Sequence, residues 1–222
     1  MPRSFVILGA GRFGKLAVTR LAAAHPAAPI TVVDAQPGDL PETAGDNLQA
    51  IAAEGIDYLT EQLHAGELPA SAIIVPAIPV HVAFEWIFRE LSREGTVERA
   101  PVPKDLGLPN ETGGPTGDRY VSLADFICPD DCPEPKKACP ITQASRGVPM
   151  VRRIAELSSP TRPVLAIRSE QLAPGVGGYP VARLVELRQA VTSLTGIVLV
   201  GTACSCHGVI SALALTATAA QT

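Results

Sequence analysis

The sequence predicts an α/β protein with one doubly wound, Rossmann-like and mostly parallel sheet, interrupted by an irregular cysteine-containing insert. Three observations predict it: short apolar runs of strand length, apolar residues at helical spacing between them, and a break in this alternation at about residues 95–148. Alternating strands and helices are typical of a parallel sheet covered by helices on both faces. We therefore expect a single domain over residues 1–222 that contains the insert.

The composition fits a folded protein that carries no generic nucleic-acid surface. Hydrophobic residues make up 46% of the chain and the formal net charge is −4, which argues against intrinsic disorder. The 22 acidic residues outnumber the 18 basic ones, so we expect no nucleic-acid partner. We find no secretory signal, and polar residues interrupt the uncharged stretch 194–222 near its middle. We therefore expect a cytoplasmic protein without a membrane span.

The first 34 residues read as a strand, a helix and a second strand. Residues 5–8 form a continuous apolar run, which is typical of a parallel strand buried on both faces. Apolar residues then recur at helical spacing over 13–24, and the prolines that follow end that helix. A second apolar run at 30–33 leads to Asp34. This order predicts a β-α-β unit at the start of the chain.

The alternation continues on both sides of the insert. We expect strands at 71–76, 163–167 and 196–200, and helices at 80–93, 149–157, 180–191 and 209–219. Residues 46–66 are expected to hold a helix and a weak strand. The insert is rich in proline, glycine and charge, and a structureless loop of that length is improbable inside a compact domain. We therefore expect its three cysteines to hold it together.

The segment Gly9-Ala10-Gly11-Arg12-Phe13-Gly14 has the G-x-G-x-x-G pattern of dinucleotide-binding turns. It follows a buried strand and opens a helix, and Asp34 ends the next strand 20 residues after Gly14. The three glycines permit the tight turn, leave room for the pyrophosphate and let helix and strand pack closely. The helix N-terminus offers free N–H groups to phosphates, and the Asp34 carboxylate would accept hydrogen bonds from the adenosine ribose. We expect NAD here, because that carboxylate repels the 2′-phosphate of NADP.

Several details of this site stay open. A glycine turn in such a sheet also suits another nucleotide, S-adenosylmethionine or no ligand. Arg12 is placed either on a phosphate or in solvent. Pro76, at the end of strand 71–76, is expected to form a wall beneath the nicotinamide ring. The glycine-rich loop 174–178 either approaches a ligand or is a flexible turn, and His81 is more often a solvated residue at a helix start than a proton donor.

Three segments together resemble the TrkA-N (RCK) NAD-binding domain: Ile7–Gly14, Val32–Asp34 and Ala72–Val75. The resemblance covers about residues 3–95, and the same motifs occur in many NAD-dependent dehydrogenases. It implies a Rossmann fold that binds NAD(H) or ATP in the control of potassium transport. Beyond residue 95 the chain departs from that family, because a cysteine-rich insert stands where the family has its ligand-binding C-domain.

An odd number of cysteines, five, excludes a fully paired disulfide framework. They form two groups, Cys128, Cys132 and Cys139 in the insert, and Cys204 and Cys206 beside His207 after the last predicted strand. Ligands of open α/β sheets bind at the carboxyl ends of the strands. We therefore expect the second group to share one sheet edge with the glycine turn, and the insert to bring its cysteines there. Four thiolates can hold zinc or an iron–sulfur cluster, and disulfide exchange is the competing chemistry.

These observations give three functional hypotheses. The first is an NAD-binding oxidoreductase whose cysteine-ligated zinc, iron–sulfur or thiol centre lies near the nicotinamide and serves a small-molecule or protein redox partner. The second is a non-catalytic NAD(H)-sensing regulatory module, as the resemblance implies, with the cysteines as a structural metal staple. The third is a cysteine-based redox sensor without a metal. Rossmann domains often form homodimers, but no interface is marked in the sequence.

Overall fold

The computed structural model describes residues 3–36, 38, 47–95, 97–134 and 137–216. The fold is α/β, with two mixed sheets of parallel and antiparallel strands. Contacts divide the chain into two compact units. Unit 1 comprises Met1–Val82, Asp130–Pro133 and Ser169–Leu184, and unit 2 comprises Ala83–Pro129, Glu134–Arg168 and Val185–Thr222. A compact unit is not by itself an independent folding domain, so the single domain over residues 1–222 stays a prediction.

The elements of the described ranges are named in chain order. The helices are α1 Arg12–Ala24, α2 Gly55–Ala65, α3 Val82–Ser92, α4 Met150–Ala155 and α5 Val181–Val191. The strands are β1 Phe5–Leu8, β2 Ile30–Asp34, β3 Leu48–Ala52, β4 Ile73–Pro76, β5 Val97–Ala100, β6 Thr112–Gly113, β7 Arg119–Ser122, β8 Val164–Arg168, β9 Glu170–Ala173, β10 Val176–Pro180, β11 Gly196–Ala203 and β12 His207–Leu215.

Unit 1 is built on four parallel strands in the order β3-β2-β1-β4. The apolar runs of β1 and β2 are buried almost throughout, as expected for central parallel strands. Val18 and Leu21 of α1 pack into the same core as Phe5 and Ile7 of β1. The predicted β-α-β unit is therefore confirmed, and β3 and α2 lie within residues 46–66, where the sequence predicted a strand and a helix.

A hairpin completes this sheet. β10 pairs antiparallel with β4, and β9 pairs antiparallel with β10. The sequence predicts a glycine-rich loop at 174–178 that either approaches a ligand or is a flexible turn. Residues 174–178 include the turn of this hairpin, and β8 belongs to the other sheet.

Unit 2 is organised around β12, which pairs antiparallel with β11, β7 and β5. The predicted helix at 209–219 is wrong over its described part, because residues 209–215 belong to this strand; residues 217–219 lie outside the described ranges. The Ala-rich segment forms a strand because it has partners on both sides and is mostly buried. Ile210 packs against Met150 and Ile154 of α4 in the unit 2 core.

The expected irregular insert supplies strands to unit 2. β5, β6 and β7 all lie within 95–148 and belong to the sheet that contains β12. Backbone pairing therefore holds much of this segment, whereas the sequence assigned that role to its cysteines. The helices at 80–93, 149–157 and 180–191 are confirmed as α3, α4 and α5, with shifts of a few residues at their ends.

The glycine turn and the Cys204–Cys206 segment belong to different sheets. Gly9 follows β1, which lies in the parallel sheet of unit 1, whereas Cys204 follows β11 in the sheet of unit 2. The prediction that both lie on one sheet edge is therefore wrong. The prediction failed because strands and helices alternate again after the insert, as they do before it. This pattern suggests that the later strands continue the first sheet, whereas most of them build a second one.

We searched the helices of the described ranges for a membrane-spanning segment. None of them combines the length and the apolar character that crossing a bilayer requires.

Candidate functional site

The glycine turn of unit 1 joins the end of β1 to the start of α1. Gly9 has a φ of +110°, a conformation that side chains rarely adopt. A Cβ atom on Gly14 would lie 1.9 Å from the carbonyl oxygen of Gly9, so helix and turn approach too closely for any side chain there. Both glycines are therefore required by the backbone, as the motif predicts.

The middle glycine of the motif faces open space. A Cβ atom on Gly11 would meet no heavy atom within 4 Å, and its φ of −69° suits any residue. Gly11 is also the N-cap of α1, and no side chain caps the N–H groups of the first turn. Uncapped N–H groups beside free space form the kind of helix N-terminus that binds phosphate.

Asp34, at the end of β2, is directed to this turn. Its Oδ2 accepts a hydrogen bond from the backbone N–H of Ala10 at 2.8 Å, and its Oδ1 accepts one from Gln36 at 2.8 Å. These two bonds, chiefly that from Ala10, hold the pKa of Asp34 below its ordinary value although burial opposes them. The carboxylate is therefore ionised and fixed beside the glycine turn.

Pro76 and the loop after β4 lie against the same turn. Pro76 pairs with Leu8 in the parallel register of β1 and β4, and the N–H of Ala77 donates to the Leu8 carbonyl at 2.8 Å. A Cβ atom on Gly9 would lie 2.7 Å from the Ala77 carbonyl oxygen. The loop therefore packs on the glycine turn at the position where the sequence predicts a wall beneath the nicotinamide ring. His81, expected to be solvated, is buried with 5% of its surface exposed.

Arg12 of the motif contacts Asp130–Pro133, a short segment within the region 95–148 that the sequence predicts as an insert. Its guanidinium forms an ion pair with the Asp130 carboxylate. Arg20, two turns further along α1, donates to the Asp130 carbonyl at 2.6 Å. Arg12 is therefore paired with a carboxylate, although its side chain is 75% exposed.

The β9–β10 hairpin holds the other end of this segment. The Cys132 carbonyl accepts hydrogen bonds from the N–H of Gly175 at 3.2 Å and from the side chain of Gln171 at 2.7 Å. Gly175 has a φ of +66°, and a Cβ atom there would lie 1.6 Å from the Asp130 carbonyl oxygen. The glycine-rich turn does permit a close approach, and the group that approaches is the protein's own backbone.

In unit 2, one imidazole contacts two of the predicted cysteines. The Sγ atom of Cys128 lies 3.5 Å from Nε2 of His207, and the Sγ atom of Cys204 lies 3.8 Å from its Nδ1. Cys204 Sγ also accepts the N–H groups of Cys206 and His207, each at 3.3 Å. Of the three insert cysteines that the sequence predicts at the Cys204–His207 segment, Cys128 contacts it.

Charged groups surround this imidazole. Glu134 Oε1 accepts the backbone N–H of Ser205 at 2.6 Å and pairs with Arg168 at 2.8 Å. Burial, and next the positive charge of Arg146, lower the pKa of His207, while Glu134 acts in the opposite direction. A neutral imidazole between two thiols can accept a thiol proton, so this arrangement suits thiol chemistry.

Cys139 occupies a separate turn of unit 2 and is buried, with 3% of its surface exposed. Its sulfur receives hydrogen bonds from the backbone N–H and the hydroxyl of Thr142 and from the N–H of Ile141. With the charge of Arg146, and against the effect of burial, these donors lower the pKa of Cys139 to about 7. They stabilise the thiolate form of this cysteine.

The five predicted metal ligands therefore lie in different parts of the structure. Cys132 belongs to unit 1, whereas the other four belong to unit 2. Cys139 and Cys206 are buried, whereas Cys128, Cys132 and Cys204 are partly exposed. Among the residues that the structure describes, no group of three or more His, Cys, Asp or Glu side chains is arranged to hold a metal ion. The zinc or iron–sulfur centre stays a prediction.

Sequence reasoning missed the polar residues that complete these sites. They are Arg20, Asp130, Glu134, Thr142, Arg146 and Arg168. Most lie in or next to the irregular segment, where no helical or strand period indicates which side chains face inward. One signal was available, a threonine three residues after Cys139, since hydroxyl and amide donors in a short turn stabilise a preceding thiolate.

Comparisons with known proteins identify the C-terminal part of the chain. The model of the AF_1314_C family, described as an uncharacterized protein, C-terminal domain, matches residues 83–216, and the chain belongs to this family. An uncharacterized protein of Archaeoglobus fulgidus is 37% identical over 89 residues, which cover 40% of this chain and 39% of that relative. The match therefore spans about two fifths of the relative's length. No solved structure matches the chain.

Proposed function

We propose that this member of the AF_1314_C family binds a dinucleotide of the NAD type at the glycine turn of unit 1 and acts as an oxidoreductase. The observation that carries the proposal is the combination of three features in one turn. Gly11 borders open space, the first N–H groups of α1 have no cap, and Asp34 lies at the end of the neighbouring strand. A pyrophosphate and a ribose require these same features.

The strand order supports a Rossmann-like reading of unit 1. The order β3-β2-β1-β4 is that of the first four strands of a Rossmann sheet, and the glycine turn follows its β1. The similarity to a Rossmann sheet ends after β4, because the next strands in the sheet, β10 and β9, pair in antiparallel orientation. This half-sheet supports binding of at least the adenosine diphosphate part of NAD.

The cofactor preference follows from Asp34. Its carboxylate is ionised and held by two backbone N–H groups at the end of β2. It would accept hydrogen bonds from ribose hydroxyls and would repel a 2′-phosphate. We therefore propose NAD(H) over NADP(H).

The thiols of unit 2 are the second redox group of the proposal. The contacts of His207 with Cys128 and Cys204 support thiol–disulfide exchange with a disulfide substrate. The imidazole accepts the proton of one thiol, the thiolate attacks a sulfur of the substrate disulfide to form a mixed disulfide, and the other substrate sulfur leaves as a thiolate. A zinc or iron–sulfur centre on cysteines of unit 2, with Cys128 and Cys204 among its ligands, is the alternative form of this centre. Metal analysis of anaerobically purified protein, with absorbance near 400 nm as the sign of iron–sulfur, separates the two forms.

The test of the cofactor site is a titration of the full chain with NADH, followed by its fluorescence. We expect saturable binding, at least tenfold weaker binding of NADPH, and loss of at least tenfold in affinity in Gly11→Ala. Thr19→Ala, on the exposed side of α1, is the matched control and should bind as the wild type does. Equal binding by Gly11→Ala would contradict the proposed site, and so would the absence of any NADH binding.

A specific contact favours the second candidate, an NAD(H)-sensing regulatory module of the kind that the TrkA-N resemblance implies. Arg12 in the glycine turn is paired with Asp130, so a bound pyrophosphate would compete for that arginine and affect the segment Asp130–Pro133. Oxidation of NADH with artificial and protein electron acceptors separates the candidates. Turnover supports the enzyme, whereas binding that changes protease cleavage near Asp130 without turnover supports the sensor.

A further inference from the structure

A cavity of about 150 Å³ in unit 2 includes none of the residues assigned above to dinucleotide binding, and it shares Arg146, whose charge acts on His207, with the thiol site. Its apolar lining includes Leu123, Ala124 and Phe126. Its polar lining is Cys139, Thr142, Ser145, Arg146 and Arg153, and no acidic residue of the described ranges lines it. Two arginines and no carboxylate make this a cavity of positive charge.

Arg146 is the unusual member of this lining. It is 6% exposed, and its Nε and Nη2 atoms are buried without a hydrogen-bond partner among the described residues. A buried guanidinium with unmet donors is unfavourable unless a negative charge or acceptor is supplied. Nε and one terminal nitrogen of a guanidinium present two parallel N–H groups, the geometry that binds two oxygens of one oxyanion.

The backbone fixes Arg146 and Cys139 on one small hairpin. Ala138 and Ser145 form an antiparallel bridge, and the N–H of Arg146 donates to the Lys137 carbonyl at 2.9 Å. Within this hairpin the N–H of Cys139 donates to the Ala144 carbonyl at 2.9 Å. The backbones of Cys139 and Arg146 are therefore fixed relative to each other before any ligand arrives.

Thr142 adds a directional donor beside the cavity. Its hydroxyl oxygen accepts the N–H of Ala144 at 3.3 Å, which leaves the hydroxyl proton for the Cys139 sulfur. The charge of Arg146 acts on that sulfur as well. The cavity thus places donors and one cation around a single thiol.

We propose that this cavity binds a small tetrahedral oxyanion, of the size of phosphate or sulfate, on the guanidinium of Arg146 and beside Cys139. Nε and Nη2 have almost no accessible surface without the ligand, so the guanidinium turns these two donors toward the anion as it binds, and the anion supplies the acceptors that they lack among the described residues. Bound anion and thiolate both carry negative charge, so anion binding favours the protonated thiol and blocks access to it.

The proposal is tested first on the unaltered full chain. Phosphate and sulfate are titrated by calorimetry, and alkylation of each cysteine by iodoacetamide is followed by peptide mass spectrometry. We expect millimolar or tighter binding, and alkylation of Cys139 about tenfold slower at ten times the dissociation constant. Cys132, which belongs to unit 1, is the internal control and should react at an unchanged rate. Absence of binding in this experiment overturns the proposal.

Variants then assign the binding to the guanidinium. Arg146→Lys keeps a positive charge but loses the paired donors, and we expect at least about tenfold weaker phosphate binding. Arg152→Gln, which removes an exposed arginine paired with Glu156 on α4, is the matched control and should bind as the wild type does. Equal weakening in both variants would show general surface charge and would overturn the site.

A third arm identifies the form of the ligand. Phenyl phosphate carries the same phosphoryl group on a larger body, so binding of phosphate alone supports a free oxyanion and binding of both supports a phosphoryl group on a larger molecule. In either case Arg146→Lys must weaken it. A metal ion found on Cys139, with alkylation blocked whether or not phosphate is present, contradicts the proposal.

Discussion

Unit 1 and unit 2 present their polar groups in opposite ways. In unit 1 the charged side chains are already paired, Asp34 with backbone N–H groups and Arg12 with Asp130, and what stays open is backbone and space at Gly11. In unit 2 the backbone of the Cys139 hairpin is paired, and what stays open is a buried cationic side chain, Arg146. The open groups are therefore backbone and space in unit 1 and a charged side chain in unit 2.

The largest effect that we expect is a difference in stability between alanine substitutions at two glycines of unit 1, one that is tightly packed and one that faces open space. Gly14→Ala forces a Cβ atom to within 1.9 Å of the Gly9 carbonyl oxygen and should lower the free energy of unfolding by about 3 kcal/mol. Gly11→Ala meets no atom within 4 Å, so its only cost is that of alanine at an N-cap position, and it should lower the free energy of unfolding by no more than about 1 kcal/mol. Urea unfolding of both variants measures the difference. Equal stability of the two would show that the turn can relax and that its close approach is not required.

The next effect concerns the thiol of unit 2. Because the pKa of Cys139 is lowered to about 7, its alkylation rate should rise with pH and reach half its maximum near pH 7, against an ordinary value of 9.0. Thr142→Val removes the hydroxyl donor and should raise that midpoint, which slows alkylation at pH 7 by about fivefold. Rate profiles between pH 5 and 10 by mass spectrometry measure it.

A matched control for this profile is Ser145→Ala. Ser145 also lines the cavity but is not among the donors to the Cys139 sulfur, so the midpoint should not move. An unshifted midpoint in Thr142→Val would mean that the backbone N–H groups alone stabilise the thiolate.

A smaller expected effect tests whether Arg12 contacts the bound nucleotide. Asp130→Asn removes the carboxylate that pairs with Arg12 and should strengthen NADH binding by about threefold, since this pair is largely exposed and worth little. Asp131→Asn, at the next position, is the control and should leave the affinity unchanged. Unchanged affinity in Asp130→Asn would place Arg12 away from the bound nucleotide.

The smallest effect is on the pH dependence of stability in unit 1. Hydrogen bonds from Ala10 and Gln36 lower the folded-state pKa of Asp34 below 3.8. Their contribution is complete above pH 3.8 and is lost as the pH falls below that value through the folded pKa. Asp34→Asn lacks this titration, so its urea midpoint should fall less steeply between pH 4 and 2.5. Parallel slopes for the two proteins would show that these bonds do not stabilise the carboxylate.

The sequence predicted most of unit 1 because its signals are local. Strands such as β1 and β2 are continuous apolar runs, and the glycines at 9 and 14 are required by short-range contacts. The β9–β10 hairpin was missed because its glycines read as a flexible loop. The actual partner of Gly175, the Asp130 carbonyl, lies 45 residues earlier in the chain.

Unit 2 could not be predicted in the same way because its strands are defined by distant partners. β7 is a short, partly exposed segment, and its pairing with β12 connects residues such as Ser122 and His207 that are far apart in sequence. The small apolar residues of β12 suit a helix as well as a strand, and only the partners decide between them. Arg146 shows the same limit, since nothing near it in sequence indicates that it is buried.

The position of β12 in the chain has a consequence for synthesis on the ribosome. Its three partners β5, β7 and β11 all emerge earlier, and none of them pairs with another of the three. Until β12 has left the exit tunnel, these strands keep unsatisfied N–H and C=O groups along their edges, which makes the nascent chain prone to aggregation. Chaperone demand should therefore be greatest while residues 207–215 are still within the tunnel.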